Sequence, residues 1–396
     1  MTFHSSDMPD PLRRRLLRYG AGSLAAIAAG KLLVACRGGG LPVVARELRE
    51  SAVDGLFVPE GFSARIVARS SHPVVPGLGF LWHAAPDGGA VFAADDGGWV
   101  YVSNSEMDDG AGGASAMRFN ASGEVINAYS ILNGTHRNCA GGPTPWNTWL
   151  SCEEVESGRV WECDPFGARP ARALPALGTF MHEAAAVDPE TFRIYLTEDL
   201  PDGRFYRFTP ASVTGGVPDL GSGTLEAAEV SGDAGGDVSW HRIDDPDAES
   251  TPTRHQASQS TAFNGGEGAW HADGVIYFTT KGSGRVWAYD IGAETLRLVY
   301  DDNTFAEPVL TGVDNVTVSQ DGTVYVAEDG GNMQIVAINP AQEVFPVVQL
   351  TGHRKSEVTG PAFDPTGTRL YFSSQRGNSG LAFDGVTYEV TGPFVR

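Results

Sequence analysis

Side chains able to bind metal ions follow short apolar runs at several places in this chain. The clearest run ends at Trp149 and is followed by Cys152, Glu153 and Glu154. A soft thiolate beside hard carboxylates favours a redox-active or Lewis-acidic transition metal over calcium alone. We therefore predict that Cys152 is a metal-bound thiolate and not half of a disulfide bond.

The same pattern occurs six times: an aromatic residue closes an apolar run, and polar residues follow three to five positions later. The aromatic residues are Tyr101, Trp149, Tyr195, Tyr277, Tyr325 and Tyr371. The polar residues that follow are Asn104 and Glu106; Cys152, Glu153 and Glu154; Glu198 and Asp199; Thr280 and Lys281; Glu328 and Asp329; and Ser374, Gln375 and Arg376. The aromatic positions are 48, 46, 82, 48 and 46 residues apart, so one insertion interrupts an even period. Periods of about 40–50 residues are typical of β-propeller blades.

This period predicts an all-β fold, a six-bladed β-propeller over residues 51–396, with the aromatic residues packed between blade sheets. Corresponding strands are expected near residues 98–104, 147–152, 193–198, 274–280, 322–328 and 368–374. The 50 Gly and 24 Pro suit a turn-rich strand protein. The long step includes residues 211–260, whose composition is that of a loop, either a lid over the channel or a surface decoration.

A second polar position precedes each later aromatic residue by about 10–12 residues, where the preceding strand should begin. These residues are Asn138, His182 with Glu183, Glu267, Asp314 with Asn315, and Thr359. If that strand is the innermost one of its blade, they line a central channel. Oxygen ligands that converge from several blades suit calcium or ferric iron. Any one of these residues alone also fits a structural role, because Asn and Asp often cap turns and a lone His is usually part of a core.

The N-terminus has the composition of an export signal. Arg13 and Arg14 belong to a twin-arginine pattern, and an apolar stretch at residues 21–33 follows that is too short to span a membrane. Residues 33–36 resemble a lipobox ending at Cys36; the alternative is an ordinary signal peptide with an unrelated cysteine. We expect residues 1–36 to be the signal, residues 37–50 a linker, and the protein to be periplasmic or anchored to the cell envelope by lipid on Cys36.

The chain is strongly acidic, with a formal net charge of −21. Nucleic acids and acidic lipid surfaces are therefore poor partners, because both would be repelled. We expect a monomer that contacts the membrane only through the lipid. The excess of carboxylates is either a solvated surface or, in part, a set of metal ligands.

The cysteines beyond the signal number three: Cys139, Cys152 and Cys163. In an oxidising compartment an odd number leaves at least one thiol unpaired or bound to another group. Cys139 and Cys163 are compatible with a disulfide bond or with burial as inert thiols.

Several stretches resemble the PhoX-type alkaline phosphatases: residues 98–106, residues 138–154 with Thr144-Pro145-Trp146 and Cys152-Glu153-Glu154, residues 181–184, and residues 195–199. The resemblance implies a six-bladed propeller that hydrolyses phosphate esters with a calcium and iron cluster in its channel and a cysteine among the iron ligands. The ligands that it implies here are Cys152, Glu153, Glu154, Glu183, Glu198, Asp199, Glu267, Asp314, Glu328 and Asp329. The chain is shorter than better-known members, and Asn147 stands where a glycine is common.

Phosphate ester chemistry also assigns roles to two cations. Lys281 and Arg376 occupy repeat positions where other blades have acids, so we predict that they grip the phosphate oxygens of a small ester substrate. The alternative is that both pair with neighbouring carboxylates. His136 and Arg137 are weaker candidates for the same role.

Two other functions remain open at this stage. A lactonase-like propeller would use one calcium ion and needs no thiolate, and a lipid-anchored binding propeller would have no catalysis at all. The thiolate beside carboxylates favours the phosphatase. Metal analysis separates the three, because they require iron with calcium, calcium alone, and no metal.

Overall fold

The computed structural model describes residues 47–394, so the predicted signal, the lipobox and Cys36 lie outside the described residues. Within residues 47–394 the chain forms 29 strands and five short 3₁₀ helices. The first strands are β1 (Leu48–Glu50), β2 (Leu56–Pro59), β3 (Ser63–Arg69), β4 (Pro86–Ala93), β5 (Trp99–Ser105), β6 (Gly112–Phe119), β7 (Val125–Thr135), β8 (Asn138–Pro143), β9 (Trp149–Glu153), β10 (Val160–Cys163), β11 (Arg172–Ala173), β12 (His182–Val187), β13 (Ile194–Glu198) and β14 (Phe205–Pro210). The others are β15 (Val213–Thr214), β16 (Val217–Pro218), β17 (Gly223–Val230), β18 (Gly235–Arg242), β19 (Gly266–Ala272), β20 (Val275–Thr280), β21 (Arg285–Asp290), β22 (Thr295–Asp301), β23 (Val313–Val318), β24 (Val324–Glu328), β25 (Gln334–Ile338), β26 (Val344–Leu350), β27 (Val358–Phe363), β28 (Arg369–Ser374) and β29 (Val386–Thr391). The 3₁₀ helices are Pro175–Leu177, Thr253–His255, Lys281–Ser283, Asp302–Thr304 and Ala382–Asp384.

The strands build antiparallel sheets around a common centre. Their orders are β4-β5-β6-β7, β8-β9-β10-β11, β12-β13-β14-β17-β18-β22-β21-β20-β19, β23-β24-β25-β26-β2-β1 and β27-β28-β29-β3, with a small β15-β16 pair. The strands β4, β8, β12, β19, β23 and β27 contact one another in sequence, and β27 contacts β4. Edge strands thus surround a central axis, which is a propeller-like, all-β arrangement.

Six separate sheets are not what the described residues show. Strand β18 pairs with β17 on one side and with β22 on the other, so the groups that begin with β12 and β19 merge into one nine-stranded sheet. The all-β, propeller-like fold class is confirmed, whereas a count of six separate blade sheets is not.

The N-terminal strands complete the sheets at the end of the chain. Strand β3 pairs with β29, and β2 pairs with β26. Because these contacts join residues more than 290 positions apart in the sequence, the beginning and the end of the chain close the ring together.

The repeated aromatic residues lie where the sequence predicted. All six are on the second strand of their group and are at most 5 % exposed. Tyr101 and Tyr371 share one apolar cluster, and Trp149 packs with Val100 and Phe92 of the preceding sheet. The predicted second strands correspond to β5, β9, β13, β20, β24 and β28.

The insertion at residues 211–260 supplies β15 to β18 and then a segment that includes the 3₁₀ helix Thr253–His255. In this segment Thr253 Oγ1 donates to the carbonyl of Thr179 at 2.8 Å. Arg254 Nη1 lies 3.5 Å from Glu198 Oε1, and its Nε lies 3.3 Å from Asp202 Oδ1. These contacts hold the segment beside the end of β13. Among residues 47–394 no helix has the length and apolar character needed to cross a membrane.

Candidate metal centre

Each of the six central strands has an irregular register near its beginning. The irregularities lie between Pro86 and Gly89, Asn138 and Gly141, His182 and Ala185, Gly266 and Ala269, Val313 and Val316, and Thr359 and Ala362. A bulge of this kind changes the direction of a side chain that would otherwise alternate with its neighbours. The second residues of the six irregular segments are Asp87, Cys139, Glu183, Glu267, Asp314 and Gly360, which we call the bulge ring.

A second set of residues lies at the same end of the central strands. It consists of the residue directly after the second strand of each group: Glu106, Glu154, Asp199, Lys281, Asp329 and Gln375, which we call the terminal ring. The strand ends pair with the first residues of the central strands, as in Asn138 with Glu153 and His182 with Glu198. The two rings are therefore neighbours around the axis.

The donor atoms of these rings come close enough to share cations. Four groups among the described residues have donor atoms within 4.8 Å of one another: Asp87, Glu106 and Cys139; Cys139, Glu154 and Glu183; Glu183, Glu267 and Asp314; and Asp314, Asp329 and Glu357. Consecutive groups share one residue, so the donors form one continuous series. Carboxylate oxygens dominate it, and Cys139 supplies one sulfur.

Glu183 gives the strongest indication that the series needs cations. Its side chain is 0 % exposed, and neither carboxylate oxygen has a hydrogen-bond partner in the described part of the chain. Burial, followed by the charges of Glu267 and Glu154, raises the pKa of Glu183 well above its ordinary value. Buried charged groups are normally paired or bound to metal, so the residues present fit a metal centre.

The pKa values of other buried acids in the series are raised for the same reasons. Burial raises the pKa of Asp314 to about 7 and that of Glu154 to about 8, and nearby carboxylates contribute in each case. Burial and neighbouring acids also raise the pKa of Asp87 and of the Cys139 thiol well above their usual ranges. Bound cations would reverse these shifts, because they stabilise the charged forms.

Three cationic side chains lie among the acids. Lys281 Nζ is 2.8 Å from Glu267 Oε1 and 3.3 Å from Asp329 Oδ2. Arg376 Nη2 is 3.4 Å from Glu357 Oε1 and 3.6 Å from Glu106 Oε2.

The third cation is Arg137, whose Nη2 is 2.7 Å from Glu106 Oε1 and 2.9 Å from Glu154 Oε2. Each of the three side chains is between 34 and 41 % exposed, so all reach the solvent side of the acidic series. Pairing with carboxylates, the alternative for Lys281 and Arg376, is thus observed.

Cys152, the predicted metal-bound thiolate, lies outside the four donor groups of the described residues. Cys152 is 0 % exposed and belongs to an apolar cluster with Leu150, Val160 and Phe180. Because side chains alternate along a strand, it faces away from Ser151 and Glu153. The thiol in the donor series is Cys139, which stands one residue after Asn138 as Glu183 stands after His182. Among residues 47–394, Cys139, Cys152 and Cys163 are all free.

Three predicted ligands instead close turns. Glu153, Glu198 and Glu328 each accept, through Oε2, a hydrogen bond from the backbone N–H six residues later, at 3.1, 3.1 and 2.9 Å. Their other contacts include Tyr206 Oη–H, which donates to Glu198 Oε2 at 2.7 Å, and the Thr311 N–H, which donates to Glu328 Oε1 at 2.7 Å. These carboxylates already accept hydrogen bonds, and within the described range they lie outside the four groups of candidate metal ligands.

The remaining predicted ligands do come together. Glu154, Glu183, Glu267, Asp314 and Asp329 are members of the donor groups. Asp199 lies beside them, since its charge raises the pKa of Glu154, Glu267 and Asp314.

The sequence reasoning did not assign Asp87, Glu106, Cys139 or Glu357 as ligands, or Gln375 as a site residue. Glu106 and Gln375 belong to the repeat, so the sequence does predict that they lie at the end of a second strand. Asp87 lies within the irregular segment of β4 and Glu357 directly before β27, and neither position belongs to the repeat.

A propeller-like chain with a central series of carboxylates and one thiol defines a candidate metalloprotein, in which the ligands come from several sheets. The family model of alkaline phosphatase PhoX matches residues 84–169 and 155–294, together just over half of the 396 residues. The chain belongs to this family, as its sequence motifs predicted, and is a phosphatase by that membership.

Comparison with solved structures supports the fold. The structure of Pseudomonas fluorescens PhoX in complex with vanadate, a transition state analogue, is 17 % identical with a TM-score of 0.71, covering 89 % of this chain and 98 % of that one. A Bacteroides thetaiotaomicron protein of unknown function is 10 % identical with a TM-score of 0.51, covering 83 % of this chain and 76 % of that one. A Xanthomonas campestris gluconolactonase reaches a TM-score of only 0.46 at 11 % identity, covering 93 % of this chain and 99 % of that one, and carries no argument for a lactonase. No curated protein sequence matches the chain.

Proposed function

We propose that this protein hydrolyses phosphate monoesters at alkaline pH with calcium and iron bound along its channel. The observation that carries the proposal is the buried Glu183 carboxylate, which has no hydrogen-bond partner in the described range and belongs to two donor groups. Membership of the PhoX family supports the phosphatase class.

The two ends of the donor series suit different cations. The groups that contain Cys139 combine a thiol with carboxylates, which favours iron. The groups of Glu183, Glu267 and Asp314, and of Asp314, Asp329 and Glu357, offer oxygen atoms alone, which calcium prefers. When bound, such cations polarise the phosphoryl group and activate the attacking water.

Arg376 and Lys281 would bind the phosphate. Both side chains are partly exposed and already lie among acidic groups. Arg376 offers a planar fork for two phosphate oxygens, and Lys281 offers a point charge. Arg137, which bridges Glu106 and Glu154, would hold these two carboxylates in place while the substrate enters.

We also propose that the sheets act as six blades. The support is the closed series of contacts among β4, β8, β12, β19, β23 and β27. Six blades would give one bulge-ring and one terminal-ring residue each. The proposed setting is export by the twin-arginine route as a monomer, with lipid on Cys36 as the membrane anchor.

The test is metal analysis of the purified protein together with an assay on p-nitrophenyl phosphate at alkaline pH. We expect iron and calcium in the protein, loss of turnover after chelation, and recovery when both metals are restored. Cys152→Ser serves as the control for Cys139→Ser, because only Cys139 lies in a donor group. A metal-replete protein that turns over no ester in a broad panel would refute the proposal, and a lactone panel would then test the rival hydrolase.

A further inference from the structure

Gln375 is the one uncharged residue of the terminal ring. Four of the six positions are acids, and the fifth is Lys281. The Gln375 side chain is 0 % exposed. Burial of this amide costs free energy unless its polar atoms form hydrogen bonds, because they have lost their contacts with water.

The Gln375 amide bridges two carboxylates of the sheet β4-β5-β6-β7. Its Nε2 donates to Asp87 Oδ2 at 2.5 Å and to Glu106 Oε2 at 2.8 Å. The Gln375 backbone N–H donates to the Glu357 carbonyl at 3.1 Å, which fixes the residue beside the series. Its Oε1 has no hydrogen-bond partner among residues 47–394.

The same two carboxylates form a donor group with Cys139. The Cys139 Sγ lies 3.6 Å from Asp87 Oδ2, the oxygen that Gln375 holds. Two carboxylates this close repel each other, and a bridging N–H₂ group offsets the repulsion without cancelling either charge. Lys281, at the equivalent position of its own group, instead contacts Glu267 and Asp329 with a full positive charge.

From this geometry we propose that Gln375 is a positioning residue for the cation held by Asp87, Glu106 and Cys139. It holds the two carboxylates together beside Cys139, so that the three donors are already in place before the metal arrives. The inference rests on the metal binding proposed above. It predicts an effect on metal affinity that a purely structural glutamine would not have.

The experiment titrates chelator-stripped, full-length protein with Co²⁺ alone and follows the sulfur-to-cobalt charge-transfer absorption. Cys139→Ser should abolish the band and thereby assign it. Gln375→Met keeps the length of the side chain but removes both donors, and it should weaken Co²⁺ binding about 10–100-fold, as loss of a group that orients a ligand does. Gln375→Asn retains an amide that is too short to bridge, and it should weaken binding as well.

Gln334→Met is the matched control, because Gln334 is also buried, at 7 % exposed, and lies outside the donor groups of the described residues. It should leave Co²⁺ affinity unchanged. If Gln375→Met and Gln375→Asn bind Co²⁺ like the wild type, or only lower the melting temperature of the metal-free protein as Gln334→Met does, the positioning role is wrong. Absence of the band in the wild-type protein would overturn both this inference and the proposed iron site.

Discussion

The substitution Glu183→Gln should have opposite effects on the metal-free and the metal-bound protein. In the metal-free state it replaces a buried carboxyl that has no partner in the described range by an amide with neighbouring carboxylates to donate to. Relief of an unsatisfied buried group is worth about 1–3 kcal/mol, so the metal-free variant should be more stable than the wild type. With metals present, the same change removes a ligand charge shared by two donor groups.

The size of the second effect follows from linkage. A ligand at 100 times its Kd stabilises a protein by about 2.7 kcal/mol, and a 100-fold weaker site loses nearly all of that gain. The stabilisation of Glu183→Gln by calcium and iron should therefore be smaller than that of the wild type by about this amount. Urea unfolding at pH 8, with and without a chelator, measures both effects on the same samples.

Glu198→Gln is the matched control for this experiment. Glu198 is equally buried, but its Oε2 accepts from Tyr206 Oη at 2.7 Å and from the Arg204 N–H at 3.1 Å. Loss of charged hydrogen bonds should destabilise the metal-free protein by about 1.5–3 kcal/mol and leave metal content unchanged. The reasoning is refuted if both variants destabilise the metal-free protein equally, or if Glu198→Gln removes metal and Glu183→Gln does not.

Three further outcomes test the site. Cys139→Ser should remove iron and its thiolate absorption. Cys152→Ser should keep the metals but lower the free energy of unfolding by about 1–3 kcal/mol, because it buries a hydroxyl among apolar side chains. Elemental analysis and denaturant unfolding distinguish the two variants. Lys281→Ala and Arg376→Ala should retain their metals and raise the KM for p-nitrophenyl phosphate, which steady-state kinetics on metal-replete protein will show. The metal-free protein should lose stability as the pH rises from about 4, the ordinary pKa range of carboxyl groups, through the pKa values of about 7 for Asp314 and about 8 for Glu154. The reason is that the folded state binds these protons more tightly than the unfolded chain does. Melting temperatures measured across this pH range should show the loss, and the dependence on pH should flatten once metals are bound.

The features that the sequence predicted correctly are those that depend on residues close together in the chain. An apolar run, a closing aromatic residue and polar residues after it place the second strand of each group, so β5, β9 and β28 fall where the period puts them. Burial of Tyr101 and Tyr371 in one cluster follows from the same period. The merged nine-stranded sheet was not predictable, because β18 is an added strand that pairs on both edges.

The differences between the expected and the observed placement of the site residues come from strand register. Cys152 and Glu153 are adjacent in the sequence, yet a strand sends them to opposite faces, and which face meets the core depends on the partner strand. The bulges that turn Asp87 and Cys139 toward the axis exist only through pairing with β5 and β9. A single sequence does not show such pairings. It does show that an acid or a thiol follows a polar residue at the start of two central strands, as in Asn138-Cys139 and His182-Glu183.

The two rings explain why the acidic channel and the cations must be considered together. Without cations the centre holds buried carboxylates whose pKa values are raised by burial and by one another, and Lys281, Arg137 and Arg376 offset only part of that charge. With cations bound as proposed, the same carboxylates would become ligands, and Lys281 and Arg376 would be released from part of their pairing and left free to bind phosphate, while Arg137 would still hold Glu106 and Glu154. Metal binding would thus stabilise the fold and prepare the substrate site in one step.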